Sequence, residues 1–227
     1  MSLDQWSTVV AHRDVLLQGF AVTCLSSFWC LIFSMAIGIA VVVANASPIR
    51  VLRVAARVYV ELFQNIPYLL VVLFVYEGLA EVGVKLDPLT SGVLGLSMYS
   101  GAYMAEAIRS GILAVDRGQW LAAMATGMGF MQTIRLIVMP QALAYAIPPL
   151  TNQWVRLIKN TSVLAIIAGG DLLYQTNQLV SETYIVFPFY LVVAASYLVL
   201  TIPLARIGEL VESCFTWRRV TLKRSAA

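Results

Sequence analysis

The chain has 227 residues, 60% hydrophobic and only 12% charged, with a formal net charge of +3 and a mean hydropathy of +0.82. That composition excludes a soluble domain with a polar surface and places the chain in a membrane, with lipid as its surroundings. No basic aromatic surface accompanies the charge, which excludes nucleic acid as a partner. Cys24, Cys30 and Cys214 form no CxxC pair and no disulfide framework, and His12 is the single histidine, so no metal site is expected.

A helical span needs about 20 apolar residues. Runs near that length lie at 20–44, 58–79, 89–108, 140–168 and 185–204, which predicts an all-α integral membrane protein of about five transmembrane helices. The first run is too long for a signal h-region and lacks the usual charged segment before it, so it is expected to stay as a span. Lys and Arg are retained on the cytoplasmic side. One alternating set of loops holds Arg50, Arg53, Arg57, Arg109, Arg117, Arg135, Arg206, Arg218, Arg219, Lys223 and Arg224; the other holds only Arg13 and Lys85. The N-terminus is therefore expected outside and the C-terminus inside, with residues 1–18 an extracytoplasmic segment and 213–227 a basic cytoplasmic tail. The chain shows no internal repeat. Inverted-repeat carriers need two matching halves, so five spans point to a subunit that pairs with another to enclose a pathway.

The second run carries Glu61-Leu62-Phe63-Gln64-Asn65-Ile66-Pro67-Tyr68-Leu69. A proline there removes a backbone hydrogen bond and bends the axis, and Asn65 is placed to satisfy the freed groups. A plain kink and a pathway wall are both open, because polar groups inside a membrane face a bundle interior or water. Glu61 needs a partner or an aqueous face for the same reason. In the third run Glu106 and Arg109 share one helical face and are expected to form a structural ion pair that holds the angle of the next loop.

That loop reads Gly118-Gln119-Trp120-Leu121-Ala122-Ala123-Met124-Ala125-Thr126-Gly127, followed by Ile137-Val138-Met139-Pro140-Gln141-Ala142. Alanine and glycine let backbones approach closely. A short helix docked in a groove of another protein explains Ala122, Ala123 and Gly127, with Trp120 and Met124 as apolar anchors; an ordinary helix-turn-helix explains the alanines alone. The fourth run is the least lipid-like, crowded by Asn152, Gln153, Arg156, Lys159, Asn160, Thr161 and Ser162, which must face protein or water. Arg156 and Lys159 either meet a substrate carboxylate or pair with Glu61 or Glu106. Pro148-Pro149 sets a hinge or a static bend before them, and Asn160-Thr161-Ser162 has the side chains to satisfy backbone groups at a break.

The spacing of Ala122, Ala123, Gly127, Ile137 and Pro140 resembles the cytoplasmic coupling loop of ABC importer permeases, with Leu121 and Met139 where that pattern has glutamate and leucine. Phe63-Gln64-Asn65-Ile66-Pro67, Ala105-Glu106-Ala107-Ile108-Arg109-Ser110-Gly111-Ile112, Met139-Pro140-Gln141-Ala142 and Lys159-Asn160-Thr161-Ser162-Val163 extend the likeness. Together they are similar to the polar amino acid permease branch of type I ABC importers, the group of histidine, glutamine and glutamate/aspartate permeases.

The resemblance implies a type I importer transmembrane domain over 19–212, with its coupling loop at about 116–140, in the bacterial cytoplasmic (inner) membrane. It implies a homodimer or a pairing with a similar permease, two cytoplasmic ABC ATPase subunits and an extracytoplasmic amino-acid-binding protein. ATP and Mg are then used by the partner ATPase, with no cofactor and no catalytic residue on this chain. Consistently, none of Lys85, Lys159 and Lys223 sits in a GxxxxGK[ST] phosphate loop. ATPase coupling is expected at Gln119, Trp120, Leu121, Ala122, Ala123, Met124, Gly127 and Pro140. The substrate path is expected along Glu61, Asn65, Pro67, Asn152, Arg156, Lys159, Asn160, Thr161 and Ser162, whose cations tilt the substrate toward glutamate, aspartate or glutamine. A permease of the same superfamily for another solute class remains open; an ion-coupled secondary carrier is the more distant alternative.

Overall fold

A computed structural model describes residues 3–225, with side chains from 5 to 214, and all regular structure among them is helical. A short α1 (Leu3–Ala11) leads into α2 (Arg13–Ala46), so residues 13–18, read as part of the N-terminal segment, begin the first long helix. The buried positions of α2 include Gly19, Thr23, Ser26, Cys30, Ser34 and Gly38, spaced by three or four residues. One small-residue stripe therefore packs on protein and leaves apolar side chains outward.

α3 (Arg50–Asn65) and α4 (Tyr68–Leu73) meet at 110°, a corner rather than a kink. Pro67 has no N–H to continue the ladder and forces the preceding residue out of helix; Ile66 is extended at φ −104°, ψ 135°. The Asn65 side-chain amide donates to the Glu61 carbonyl at 2.6 Å, closing the end of α3. α4 runs through a wide turn at Phe74–Gly78 into α5 (Leu79–Glu81).

α6 (Pro88–Leu113) is the central helix. Asp87 caps it, accepting from the Thr90 N–H at 3.0 Å, with proline in its first turn. Hydrogen bonds from Thr90 hold the Asp87 carboxyl below the usual carboxylate range. It packs against α2, α3, α4 and, after the connecting segment, α9 (Met139–Asn160). The main core joins Cys30 of α2, Val72 of α4, Leu96 and Met104 of α6, and Leu157 and Leu164 beyond it.

Between α6 and α9 lie α7 (Arg117–Ala125), α8 (Phe130–Thr133) and a wide turn at Ile134–Val138. α9 runs unbroken through Pro148 and Pro149, so neither is a hinge. The change comes later, where a tighter 3-10 turn at Thr161–Ile167 takes over. There the Thr161 hydroxyl donates to the Ile158 carbonyl at 2.7 Å and the Ser162 hydroxyl to the Lys159 carbonyl at 2.9 Å. α10 (Leu172–Thr183) and α11 (Phe187–Ser225) complete the chain; the side chains of Arg218, Arg219, Lys223 and Arg224 in the basic tail lie outside the described residues.

Among the described residues three helical stretches are long and apolar enough to cross a membrane: Arg13–Ala46, Phe130–Ile167 and Phe187–Cys214. The bent pair of α3 with Tyr68–Glu81 supplies a fourth if counted as one span. The predicted run at 89–108 became α6, which is rich in Gly, Ser and Ala and buries half its length, including Ser91, Ser97 and Ser100. It is built to be surrounded by helices rather than lipid.

Candidate functional site

The connecting segment is closed by local hydrogen bonds at both ends. The Asp116 side chain accepts from the Gly118 N–H at 2.6 Å and starts α7. At the other end the Gly127 N–H donates to the Met124 carbonyl at 3.0 Å and the Met128 N–H to the Ala123 carbonyl at 3.2 Å. This closure puts Gly127 at φ +84°, with open space where a Cβ would stand. Gly127 is thus required by backbone conformation, not by close contact within the chain.

α7 has two faces. Leu121 is 68% exposed and Met124 50%, with Gln119 and Ala122 also outward. Ala123 is buried, and Trp120 packs inward on Phe130 with ring centroids 6.0 Å apart, near Val115, Val138 and Ala142. Within the chain, Trp120 and Ala123 hold the segment to its own protein, while Trp120 with Arg117 and Leu121 also lines an open pocket. The Gln141 amide donates to Gln119 Oε1 at 3.3 Å and to the Ile137 carbonyl at 2.9 Å, tying α7 to α9 beside Pro140 in its first turn.

At the foot of α6, Arg109 donates to both oxygens of Glu106, Nε to Oε2 at 2.8 Å and Nη2 to Oε1 at 2.5 Å. The pair sits one turn before α6 gives way to the connecting segment.

The polar residues expected along a path do not form one group. Arg156 makes no ion pair with Glu61 or Glu106 among the described residues; its guanidinium carbon stands 5.9 Å from the Tyr103 ring centroid. Tyr103 belongs to a run of aromatic rings, with Tyr99 at 5.0 Å and Tyr68 5.8 Å beyond it. The Tyr99 hydroxyl donates to Tyr103 Oη at 3.1 Å, and the Tyr103 hydroxyl donates to the Gln64 carbonyl at 3.4 Å, beside Asn65 and Pro67. Arg156, Tyr103 and the α3 corner thus converge. Sequence reasoning missed the tyrosines; the four-residue spacing of Tyr99 and Tyr103 was the available signal.

Lys159 is exposed on the same helix and Asn160 half-buried at its end. Thr161 is fully buried with its hydroxyl engaged, and the Ser162 hydroxyl donates to the Lys159 carbonyl. Asn152 instead lines a cleft against α11 with Thr151, Gly208, Glu209 and Glu212. Glu61 lines a different cavity, between α2, α3 and α6.

Residues 36–215 match the family described as binding-protein-dependent transport system inner membrane component. A probable glutamine ABC transporter permease protein of Bacillus subtilis strain 168, GlnM, is 42% identical over 199 residues, covering 88% of this chain and 92% of the relative. The glutamine transport system permease protein GlnP of Escherichia coli K12 is 30% identical, covering 91% of this chain and 95% of the relative. Among solved structures, an amino acid ABC transporter crystallised with histidines superposes with a TM-score of 0.88 at 31% identity, over 94% of this chain and 99% of that one. The inward-facing MetNI methionine ABC transporter shares the fold at a TM-score of 0.66 and 18% identity, over 95% of this chain and 99% of that one.

Proposed function

The chain belongs to the binding-protein-dependent transport system inner membrane components, and on that premise we propose that it is the permease subunit of an ATP-driven importer of polar amino acids, glutamine first among them. It spans the inner membrane about five times, with α6 as the protein-enclosed span, N-terminus outside and C-terminus inside. It pairs with a second permease subunit, identical or similar, and receives its substrate from an extracytoplasmic binding protein. Two cytoplasmic ATPase subunits use ATP and Mg. Residues 19–212 form the transmembrane domain.

The observation that carries the reading is α7: a short helix joined to α6 and α9, presenting Leu121, Ala122 and Met124 outward. Its outer face suits an apolar groove on the ATPase. Closure of two ATPases draws two such helices together and turns the permease pair outward-facing; hydrolysis resets it. Leu121 makes this contact apolar where the resembling loops carry a carboxylate. Arg156, with Lys159, Asn65 and Asn160, lines the substrate path beside Tyr103, and the Glu106–Arg109 pair sets the angle of the connecting segment.

The test is uptake of a labelled amino acid panel into proteoliposomes holding the chain with its co-purified ATPase and second permease. Uptake of one polar amino acid that needs both ATP and binding protein supports the reading and identifies the substrate. Purification without an ATPase, with uptake driven by an ion gradient, replaces it with a secondary carrier.

A further inference from the structure

A cavity of about 130 Å³ opens between α2, α3 and α6, at the end of the bundle that carries α7. At about 10–15 Å³ per water-sized group, it has room on the order of ten such groups, the size of a small organic molecule. Its wall is apolar along valines and alanines, with five polar side chains: Asn45, Arg57, Glu61, Glu106 and Arg109. Glu106 and Arg109 satisfy each other. Arg57 and Glu61 do not, although they lie one helical turn apart on α3: neither is in an ion pair among the described residues. The Asn45 Oδ1 is buried with no hydrogen-bond donor.

One cavity therefore collects an exposed guanidinium and an exposed carboxylate, neither paired within the chain, and a buried amide oxygen lacking a donor. Buried acceptors are normally satisfied, and a planar guanidinium takes a carboxylate through two parallel hydrogen bonds. We propose that this cavity is an amino acid site opening on the coupling side of the membrane: the ligand carboxylate on Arg57, its ammonium between Glu61 and Asn45 Oδ1, and its side chain along the Val60 and Ala105 wall. A ligand with a single charge leaves one of the two unmatched. The site is separate from the Arg156 face and meets free amino acid from the coupling side rather than amino acid delivered by a binding protein. Its orientation rests on the permease reading above.

The test is equilibrium binding to the nucleotide-free complex in nanodiscs, without binding protein, using tritiated L-glutamine and then the other common amino acids. Saturable binding is expected, displaced by glutamine but not by its analogues lacking the carboxylate or the ammonium. Arg57→Ala and Glu61→Gln should each weaken it tenfold or more, and Arg57→Lys less. Arg57→Lys keeps the site testable if the alanine variant fails to assemble. The proposal is overturned if no amino acid binds saturably, if Arg156→Ala abolishes binding while the α3 variants do not, or if exchanging the two charges (Arg57→Glu with Glu61→Arg) restores wild-type binding, which marks a residue pair. Binding-protein-dependent uptake in the same preparations separates the two readings: uptake without saturable binding removes this site alone, and binding without any uptake removes the permease reading alone.

Discussion

Gly111 on α6 and Ala142 on α9 meet backbone to backbone: a Cβ at 111 would stand 2.6 Å from the Ala142 carbonyl oxygen and 2.6 Å from the Ala146 Cβ. These two helices enter and leave the segment holding α7, so this contact fixes the segment's base. Gly111→Ala has no flexible neighbour to displace, because the obstructing atoms are backbone and a methyl carbon. Overpacking of that kind costs about 1–3 kcal/mol. The expected outcome is a clear fall in the melting temperature of the purified complex, with weaker coupling of ATP hydrolysis to uptake. An unchanged melting temperature would show that α6 and α9 are not packed this closely.

Gly127 makes a different demand. Its φ of +84° strains any side chain, while the space around the absent Cβ is open. An L-residue held in left-handed backbone costs roughly 1–2 kcal/mol, and Asn bears it better than Ala. Gly127→Ala should therefore insert into the membrane normally but loosen the C-terminal end of α7, while Gly127→Asn keeps more function. Gly127→Asp adds a charge beside the outward face and should uncouple ATP hydrolysis from uptake. Uptake and ATPase assays on the three variants check this ranking; normal uptake by the aspartate variant would remove Gly127 from the coupling surface.

What was legible in the sequence was local. Pro67 marked the corner because proline acts on its own helix and on the residue before it, although the 110° bend depends on what α4 packs against. Ala123 and Trp120 were legible as special, but not their contacts within the chain, which depend on Phe130 and Val138 folding back on α7. Pro148-Pro149 misled because a helix packed along its length tolerates lost hydrogen bonds that would break an isolated one. The Arg156–Tyr103 contact was not legible, because it joins separate helices and no spacing encodes it.

That contact predicts a graded series. A cation over an aromatic face contributes about 0.5–1 kcal/mol at an exposed site, so loss of the ring should lower uptake about two- to fivefold. Tyr103→Phe keeps the face and should stay near wild type, while Tyr103→Ala falls by that factor. Arg156→Lys keeps the charge and should sit between wild type and Arg156→Ala. Initial uptake rates over a range of substrate concentration decide it. If Arg156→Ala imports with unchanged rate and apparent affinity, its role is structural.

Asp171 ties stability to pH. It caps α10, accepting from the Leu173 N–H at 3.1 Å and the Tyr174 N–H at 3.4 Å, yet it is fully buried where the Tyr197 hydroxyl, Thr161 and Thr23 gather. Burial pushes its carboxyl up from 3.8 to about 6, and the backbone N–H bonds offset only part of that rise. A carboxyl raised in the folded state holds its proton more tightly there than when unfolded. Its protonated form therefore favours folding below pH 4, and that advantage is lost as pH rises from about 4 through 6. At 1.36 kcal/mol per unit the change is on the order of 2–3 kcal/mol. Asp171→Asn retains a side-chain oxygen to cap α10 and has no charge to bury. The variant should melt at nearly the same temperature at pH 4.5 and pH 7.5, and above wild type at pH 7.5. Equal pH slopes in the two proteins would mean that Asp171 is ionised and solvated in the folded state.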